Sequence, residues 1–254
     1  MRPVLFSIAG FDVFSAPVFA GLAISASFVF LRTSMRRMQL SLEDFWGLIF
    51  VMIVGTIGGA LLFYAVFYNG GLARNLPYLV ENKRIPGGSF WGSFWTPWAC
   101  AYVYCRLKKI EFKHIADYIG LSAILGLVVM RIGCLLHGCC HGIRTALPWA
   151  VAYTDPRCAA SRALLGKPVH PSQIYESLGS LAIFSVIYFL LLRRGRLKPG
   201  MAFVLCVLSY SALRFSVDFV RAGDPGISWA YNITIAQSIS IISVVGSIIW
   251  YRRT

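Results

Sequence analysis

The sequence predicts an all-α integral membrane protein, a bundle of seven transmembrane helices with its N-terminus outside and its C-terminus in the cytoplasm. Three observations carry this expectation. The 254 residues are 57% hydrophobic and only 13% charged, with a mean hydropathy of +0.68, far from the roughly 45–50% apolar and 25% charged content of a soluble domain. The apolar residues run on for 19 to 25 positions at a time, long enough to cross a hydrocarbon core of about 30 Å at about 1.5 Å per helical residue. Lys and Arg are divided unevenly between the loops on the two sides of these runs, and the excess marks the cytoplasmic side. A soluble nucleotide-binding, barrel or disulfide-scaffold fold is excluded. A transmembrane β-barrel would instead show segments of about 10 residues with alternating polarity.

The first apolar segment, 13–31, has no basic run before it and no small-residue cleavage site after it, so it reads as a retained helix rather than a signal peptide. The second, 45–68, carries no charge. The third, 87–105, is uncharged and displays Phe90, Trp91, Phe94, Trp95 and Trp98, aromatics suited to the membrane interface and to packing. The fourth, 115–136, contains Arg131 near its outer end. The fifth, 171–192, sets Gln173, Glu176 and Ser180 along one stripe. The sixth, 199–220, places Arg214 and Asp218, followed by Arg221, at i, i+4 and i+7 on one helical face. The seventh, 227–251, is uncharged. With no internal repeat and no linker, residues 1–254 read as a single membrane domain with a long outer loop at about 137–170.

Orientation follows from thirteen Lys and Arg in the loops of one side, among them Arg32, Arg106, Lys108, Arg193 and Arg252, against nine on the other. The net charge of +14 is scattered over these loops rather than gathered on one face, which disfavours nucleic acid and favours anionic lipid as the partner.

A charged side chain inside a span costs roughly 2.5–3.5 kcal/mol on insertion scales, so each is a candidate site residue with a partner to be found. Arg131, Glu176, Arg214, Asp218 and Arg221 all fall at similar depth near the outer side, because successive spans alternate in direction. Three guanidinium groups against two carboxylates leave one cation over, and a guanidinium facing a cavity suits a phosphate, which it can grip with two parallel N–H bonds. His137, His141 and His170 sit at the same outer level, and an imidazole is the commonest general base near neutral pH. The run His137-Gly138-Cys139-Cys140-His141 offers imidazoles and thiols together. Its cysteines are adjacent rather than spaced as Cys-x-x-Cys, so no metal is expected there. Seven cysteines are an odd number. Cys134 and Cys206 lie in spans as small hydrophobes, and one disulfide among Cys139, Cys140 and Cys158 is compatible with an oxidising side.

These motifs resemble the bacterial prolipoprotein diacylglyceryl transferases. Arg131-Ile132-Gly133, running on to His141-Gly142, is similar to the family signature at the end of its fourth span. His170-Pro171-Ser172-Gln173-Ile174-Tyr175-Glu176 is similar to its H-P-S-Q-hydrophobic-Y-E motif, and the Arg214 segment with 220–225 is similar to its sixth-span arginine and the stretch that follows. The resemblance implies a bacterial inner-membrane enzyme with its site facing the outer leaflet and no cofactor. Such an enzyme transfers the diacylglyceryl group of phosphatidylglycerol, or a related anionic phospholipid, to the thiol of a lipobox preprotein or another acceptor, releasing glycerol phosphate. On that reading Arg131, Arg214 and Arg221 stabilise the phosphate, Gln173 and Glu176 order them, and a relocated base, His137, His141 or a reactive cysteine such as Cys139, takes the acceptor proton. Arg131, Gly133, Cys139, His170, Gln173, Tyr175 and Asp218 are the residues expected to bind substrate. The chain departs from the family at Trp91, which stands where an H-G-G histidine would align, and at Ala16-Pro17, Thr56-Ile57 and His137-Gly138-Cys139. The same lipid pocket serving a different acceptor, or binding lipid without chemistry, is the alternative.

Overall fold

The computed structural model describes residues 2–8, 11–67, 90–160, 162–222, 228–229 and 233–253. Helices occupy all seven apolar segments: α1 Ser15–Ser34, α2 Leu42–Phe67, α3 Phe90–Leu107, α4 Phe112–His137, α5 Ser172–Ser185, α6 Met201–Asp218 and α7 Ile235–Arg253. The segments Ser15–Ser34, Leu42–Val66, Phe112–His137 and Met201–Asp218 are each long and apolar enough to cross a membrane. Large apolar side chains point outward from the helices, Ile24 at 71% and Leu178 at 61% exposure among them, which is how a surface that meets lipid is composed.

Three features depart from the sequence reading. The molecule is not purely helical: β1 (Val4–Ile8) pairs antiparallel with β2 (Phe11–Phe14), β3 (Val151–Ala152) with β4 (Pro168–Val169), and β5 (Ser228–Trp229) with β6 (Ile233–Thr234). The last hairpin occupies residues assigned above to the seventh span, so α7 begins at Ile235 rather than at 227. The fifth segment changes character at Ser185, where the α-helix widens into a π-helix over Val186–Leu192. The start of the third segment, 87–89, lies outside the described residues, as does 223–225.

The chain forms two compact units. In the smaller, Ser34–Phe112, α2 packs along α3. Ser41 starts α2 because its Oγ accepts the backbone N–H of Asp44 at 3.0 Å and donates to the Asp44 carboxylate at 2.6 Å, satisfying a donor that the first helical turn leaves open. Lys108, just past the end of α3, lies 3.6 Å from both Glu43 and Asp44.

The larger unit, Met1–Thr33 with Lys113–Thr254, carries every candidate site residue. Phe30 of α1 sits in an aromatic core, with ring centroids 5.3 Å from Phe184 of α5 and 5.1 Å from Tyr188 of the π-helix. Ser27 of α1 donates to the Ser122 carbonyl of α4 at 2.8 Å. The loop 137–170 has a small core of its own, built from Tyr153, Val169, Cys158 and Ala160.

Asp117, a carboxylate inside α4 that the outer set of charges does not include, is 1% exposed. Its two oxygens accept the backbone N–H groups of Gly200 at 2.8 Å and Phe203 at 2.7 Å, and so cap the N-terminus of α6 from a neighbouring helix. Asp117→Ala strands two buried donors at about 1–3 kcal/mol each. We expect a clear loss of thermal stability in detergent, whereas Asp117→Asn keeps one acceptor oxygen and loses less. Equal unfolding temperatures for the two variants and the parent contradict this role.

Candidate functional site

The site is organised around Glu176, on the first turns of α5 and 1% exposed. A carboxylate stripped of water at this depth requires cationic partners, and three converge on it. Arg131 of α4 contacts Oε2 through its Nε. Arg214 of α6 reaches Oε1 at 3.0 Å, and Arg221, just beyond α6, reaches the same oxygen at 3.4 Å. Arg214 also holds Asp218, one turn on, at 3.1 Å. The three guanidiniums and two carboxylates therefore form one connected cluster with a net charge of +1. Beside it lies a cavity of about 230 Å³ between α4 and α5, lined by Arg131 and Gln173 and by the apolar Ile132, Leu135, Ile174 and Leu178.

Arg221 is held in register by backbone pairing rather than by a helix. Gly142 N–H donates to the His170 carbonyl at 2.9 Å, Ile143 N–H to Val220 at 2.9 Å, and Ala222 N–H to His141 at 3.1 Å, so three chain segments far apart in sequence are knitted together. Only glycine fits at 142, where a Cβ would stand 2.4 Å from the His170 Cβ and 2.6 Å from the Val220 carbonyl oxygen. Gly133, one of the expected binding residues, lies against Phe19 of α1, where a Cβ would come within 2.4 Å of the phenylalanine Cβ.

The first turn of α5 clamps the loop that follows α4. Ser172 Oγ donates to the Cys140 carbonyl at 2.8 Å, and Gln173 Nε2 donates to the Cys139 carbonyl at 2.7 Å and to the Tyr153 hydroxyl at 3.0 Å. Burial pushes the Tyr153 phenol up to about 12. Gly138 ends α4 in the left-handed region at φ +82°, and Cys140 takes a second left-handed turn at φ +61°. These two reversals fold Cys139 and Cys140 back over the last turn of α4, so that the sulfur atoms of Cys134, Cys139 and Cys140 all lie within 4.8 Å of one another. Arg131 Nη1 approaches Cys134 Sγ at 4.0 Å. The Cys140 thiol is held far below the ordinary thiol range by hydrogen bonds from Cys134 and Cys139 and by Arg221 and Arg131 nearby, while Cys139 is pushed up by the same thiol contacts. All seven cysteines are free, so none of the pairings allowed among Cys139, Cys140 and Cys158 is made.

The histidines divide into two groups. His141 Nδ1 lies 3.1 Å from the Gly142 carbonyl, an arrangement that places the proton on Nδ1 and leaves Nε2 as an acceptor. Its ring is 6.0 Å from that of Tyr153. His137 turns its ring edge-on to Phe14 at 6.0 Å, and its Nδ1 is buried without a hydrogen-bond partner among the described residues. His170 has partners of its own: its Nδ1 is 3.3 Å from the Tyr175 hydroxyl, which also accepts the Trp149 indole N–H at 2.7 Å. Tyr153 and Trp149, each tied to an expected site residue, carry no signal in the sequence, because a lone aromatic in a loop has no pattern to stand out from. Trp91 falls in the first turn of α3.

Comparison with known proteins identifies the family. The family model of prolipoprotein diacylglyceryl transferase matches residues 3–252. The phosphatidylglycerol–prolipoprotein diacylglyceryl transferase of Clostridium tetani is 29% identical over 251 residues, covering 96% of this chain and 94% of its own. The protein of the same name from Solidesulfovibrio magneticus is 32% identical over 200 residues, covering 78% and 73%. That from Idiomarina loihiensis is 30% identical over 261 residues, covering 99% and 92%. With three half-buried arginines around a buried carboxylate, apolar helices of membrane-spanning length and a match over nearly its whole length, the chain belongs to the prolipoprotein diacylglyceryl transferase family and is a membrane transferase of that type.

Proposed function

We propose that this enzyme transfers the diacylglyceryl group of phosphatidylglycerol, or a related anionic phospholipid, to an acceptor thiol and releases glycerol phosphate. It would do so at the outer leaflet of a bacterial inner membrane, as a single domain of seven spans with its N-terminus outside. The observation that carries the reading is the surplus positive charge of the Arg131, Arg214, Arg221, Glu176 and Asp218 cluster beside a largely apolar cavity between two helices. A phosphodiester brings the one negative charge that neutralises the cluster, and the apolar lining receives the adjoining part of a lipid.

The chemistry is a displacement at carbon. The acceptor sulfur bonds to the terminal glyceryl carbon of the diacylglycerol moiety, the carbon–oxygen bond to phosphate breaks, and the electron pair leaves on the glycerol phosphate. Charge grows on the phosphate oxygens as the bond breaks, so guanidiniums fixed in advance by Glu176 stabilise the transition state more than the bound lipid. His141 Nε2, left as an acceptor by the Nδ1 contact to Gly142, is the favoured base for the thiol proton, with His137 second. Cys139 and Gln173 shape the wall next to the arginines, and His170 with Tyr175 forms a separate rim with Trp149. A second reading keeps the donor and changes the acceptor, and it is favoured by Trp91 at the position where the family carries a histidine.

Purified protein given phosphatidylglycerol and a lipobox peptide is expected to release glycerol phosphate and to place a thioether on the peptide cysteine, both visible by mass spectrometry. Release that needs a membrane extract instead of the peptide selects the second acceptor reading, and no release in either mixture refutes the transfer. Arg221→Ala is expected to cut turnover by about 10²–10³ while phosphatidylglycerol still binds. His137→Gln with His141→Gln is expected to lose about 10²–10⁴ in rate, and an unchanged rate removes both histidines as the base. Glu176→Gln leaves three guanidiniums sharing one neutral amide. It is expected to lose about 3–5 kcal/mol of stability together with turnover, and a thermally unperturbed variant contradicts the hub assignment.

A further inference from the structure

We propose that Cys134, Cys139 and Cys140 form a binding site for a zinc-class divalent cation, held by three thiolates with one coordination position open to an incoming thiol. The geometry points there first. The three sulfur atoms already lie within 4.8 Å of one another, and closing on a tetrahedral zinc requires about 3.8 Å between sulfurs at bond lengths near 2.3 Å, so each has less than about 1 Å to move. The arrangement is built rather than accidental. Cys140 is a non-glycine residue held at φ +61°, in the left-handed region that residues with a Cβ rarely adopt. Two side chains of α5, Ser172 and Gln173, fasten the carbonyls of Cys140 and Cys139. Cys134 is buried, while Cys139 and Cys140 are half-buried.

Charge gives an independent argument. Three thiolates and a divalent cation sum to −1. The neighbouring cluster of Arg131, Arg214 and Arg221 with Glu176 and Asp218 sums to +1, and Arg131 is already within 4.0 Å of Cys134 Sγ. Loading the metal releases the thiol protons, and the Arg131 guanidinium beside Cys134 offsets part of the negative charge that the thiolates bring. A cation without redox chemistry and with three sulfur ligands is zinc-like, and soft sulfur ligands exclude magnesium and calcium.

The open position has a use that rests on the transferase reading above. A thiol that coordinates a zinc-class cation is deprotonated outright. The acceptor cysteine would then arrive as a thiolate next to the arginines that hold the phosphate, without the histidine that Trp91 replaces. The sulfur keeps a lone pair for the glyceryl carbon, its proton goes to solvent through His141, and the thioether product, a weaker ligand, departs.

The test uses the full-length protein in detergent, reduced with a phosphine and freed of metal. Titration with Cd²⁺ should give a thiolate-to-cadmium charge-transfer band that saturates at one equivalent. The band should vanish in the Cys139→Ser, Cys140→Ser double variant and persist in Cys158→Ser. X-ray absorption of the Zn²⁺-loaded parent should count three sulfur neighbours, rising to four with a lipobox peptide and staying at three with its Cys→Ser analogue. This measurement on the unmutated chain does not depend on any variant folding. No band at one equivalent, a band that survives the double variant, or fewer than three sulfurs overturns the site, and a fourth sulfur that never appears overturns the open position. Because the titration requires no turnover, a protein that binds Cd²⁺ yet releases no glycerol phosphate keeps the metal site and loses the transferase reading.

Discussion

A carboxylate withdrawn from water among apolar helices sets the terms for the rest of the larger unit. Glu176 cannot stay ionised at 1% exposure unless cations come to it, and no single segment of the chain can supply them all. One arginine comes from α4, one from α6 and one from the stretch beyond α6, so the helices must lie where these three side chains reach the same two oxygens. The carboxylate thereby fixes the relative depth of α4, α5 and α6 more tightly than apolar contacts could, since Leu, Ile and Val side chains slide past one another at little cost whereas ion pairs do not. Asp117 does comparable work at the opposite end of α4, fastening the first turn of α6 through two backbone donors. With α4 and α6 tied at both ends, the guanidiniums between them are held in place before any ligand arrives.

Arg221 shows how the same demand is met where no helix is available. Its position is defined by strand-like pairing among 141–143, 168–170 and 220–222, and that pairing passes through a residue with no side chain at 142. The loop 137–170 is thus part of the site's frame. Its small core around Tyr153 and Val169 is anchored to α5 by the Gln173 amide, which links the packing of the loop to the helix that carries Glu176.

Much of this was legible in the sequence for a simple reason: charge is rare in apolar segments, so Arg131, Glu176, Arg214 and Asp218 stand out, and alternating span direction puts them at one level. The helices followed from hydropathy for the same reason. What escaped was whatever depends on backbone conformation or on a distant partner. Asp117 looks like a residue at the flank of a span until the N–H groups of Gly200 and Phe203 are seen beside it, more than 80 positions away. Cys134 reads as a small hydrophobe, five residues before Cys139, until Gly138 and Cys140 reverse the chain over the end of α4. Gly133 reads as part of a binding signature, and its close approach to Phe19, which lets α1 and α4 cross, has no mark in the sequence. α7 starts at Ile235 rather than 227 because Ser228–Trp229 and Ile233–Thr234, in a stretch apolar enough for a span, pair as strands.

The arginine cluster and the thiol cluster share Arg131, and this joins the two halves of the proposed chemistry. A surplus cation by itself explains only how an anionic lipid is held; it does nothing to make a thiol nucleophilic. Three thiols by themselves would be an electrostatic liability if all were ionised in an apolar setting. Side by side, each supplies what the other lacks: the Arg131 guanidinium next to Cys134 lowers the cost of ionising a sulfur there, and the sulfurs would bring a nucleophile-activating centre to the place where phosphate is to leave.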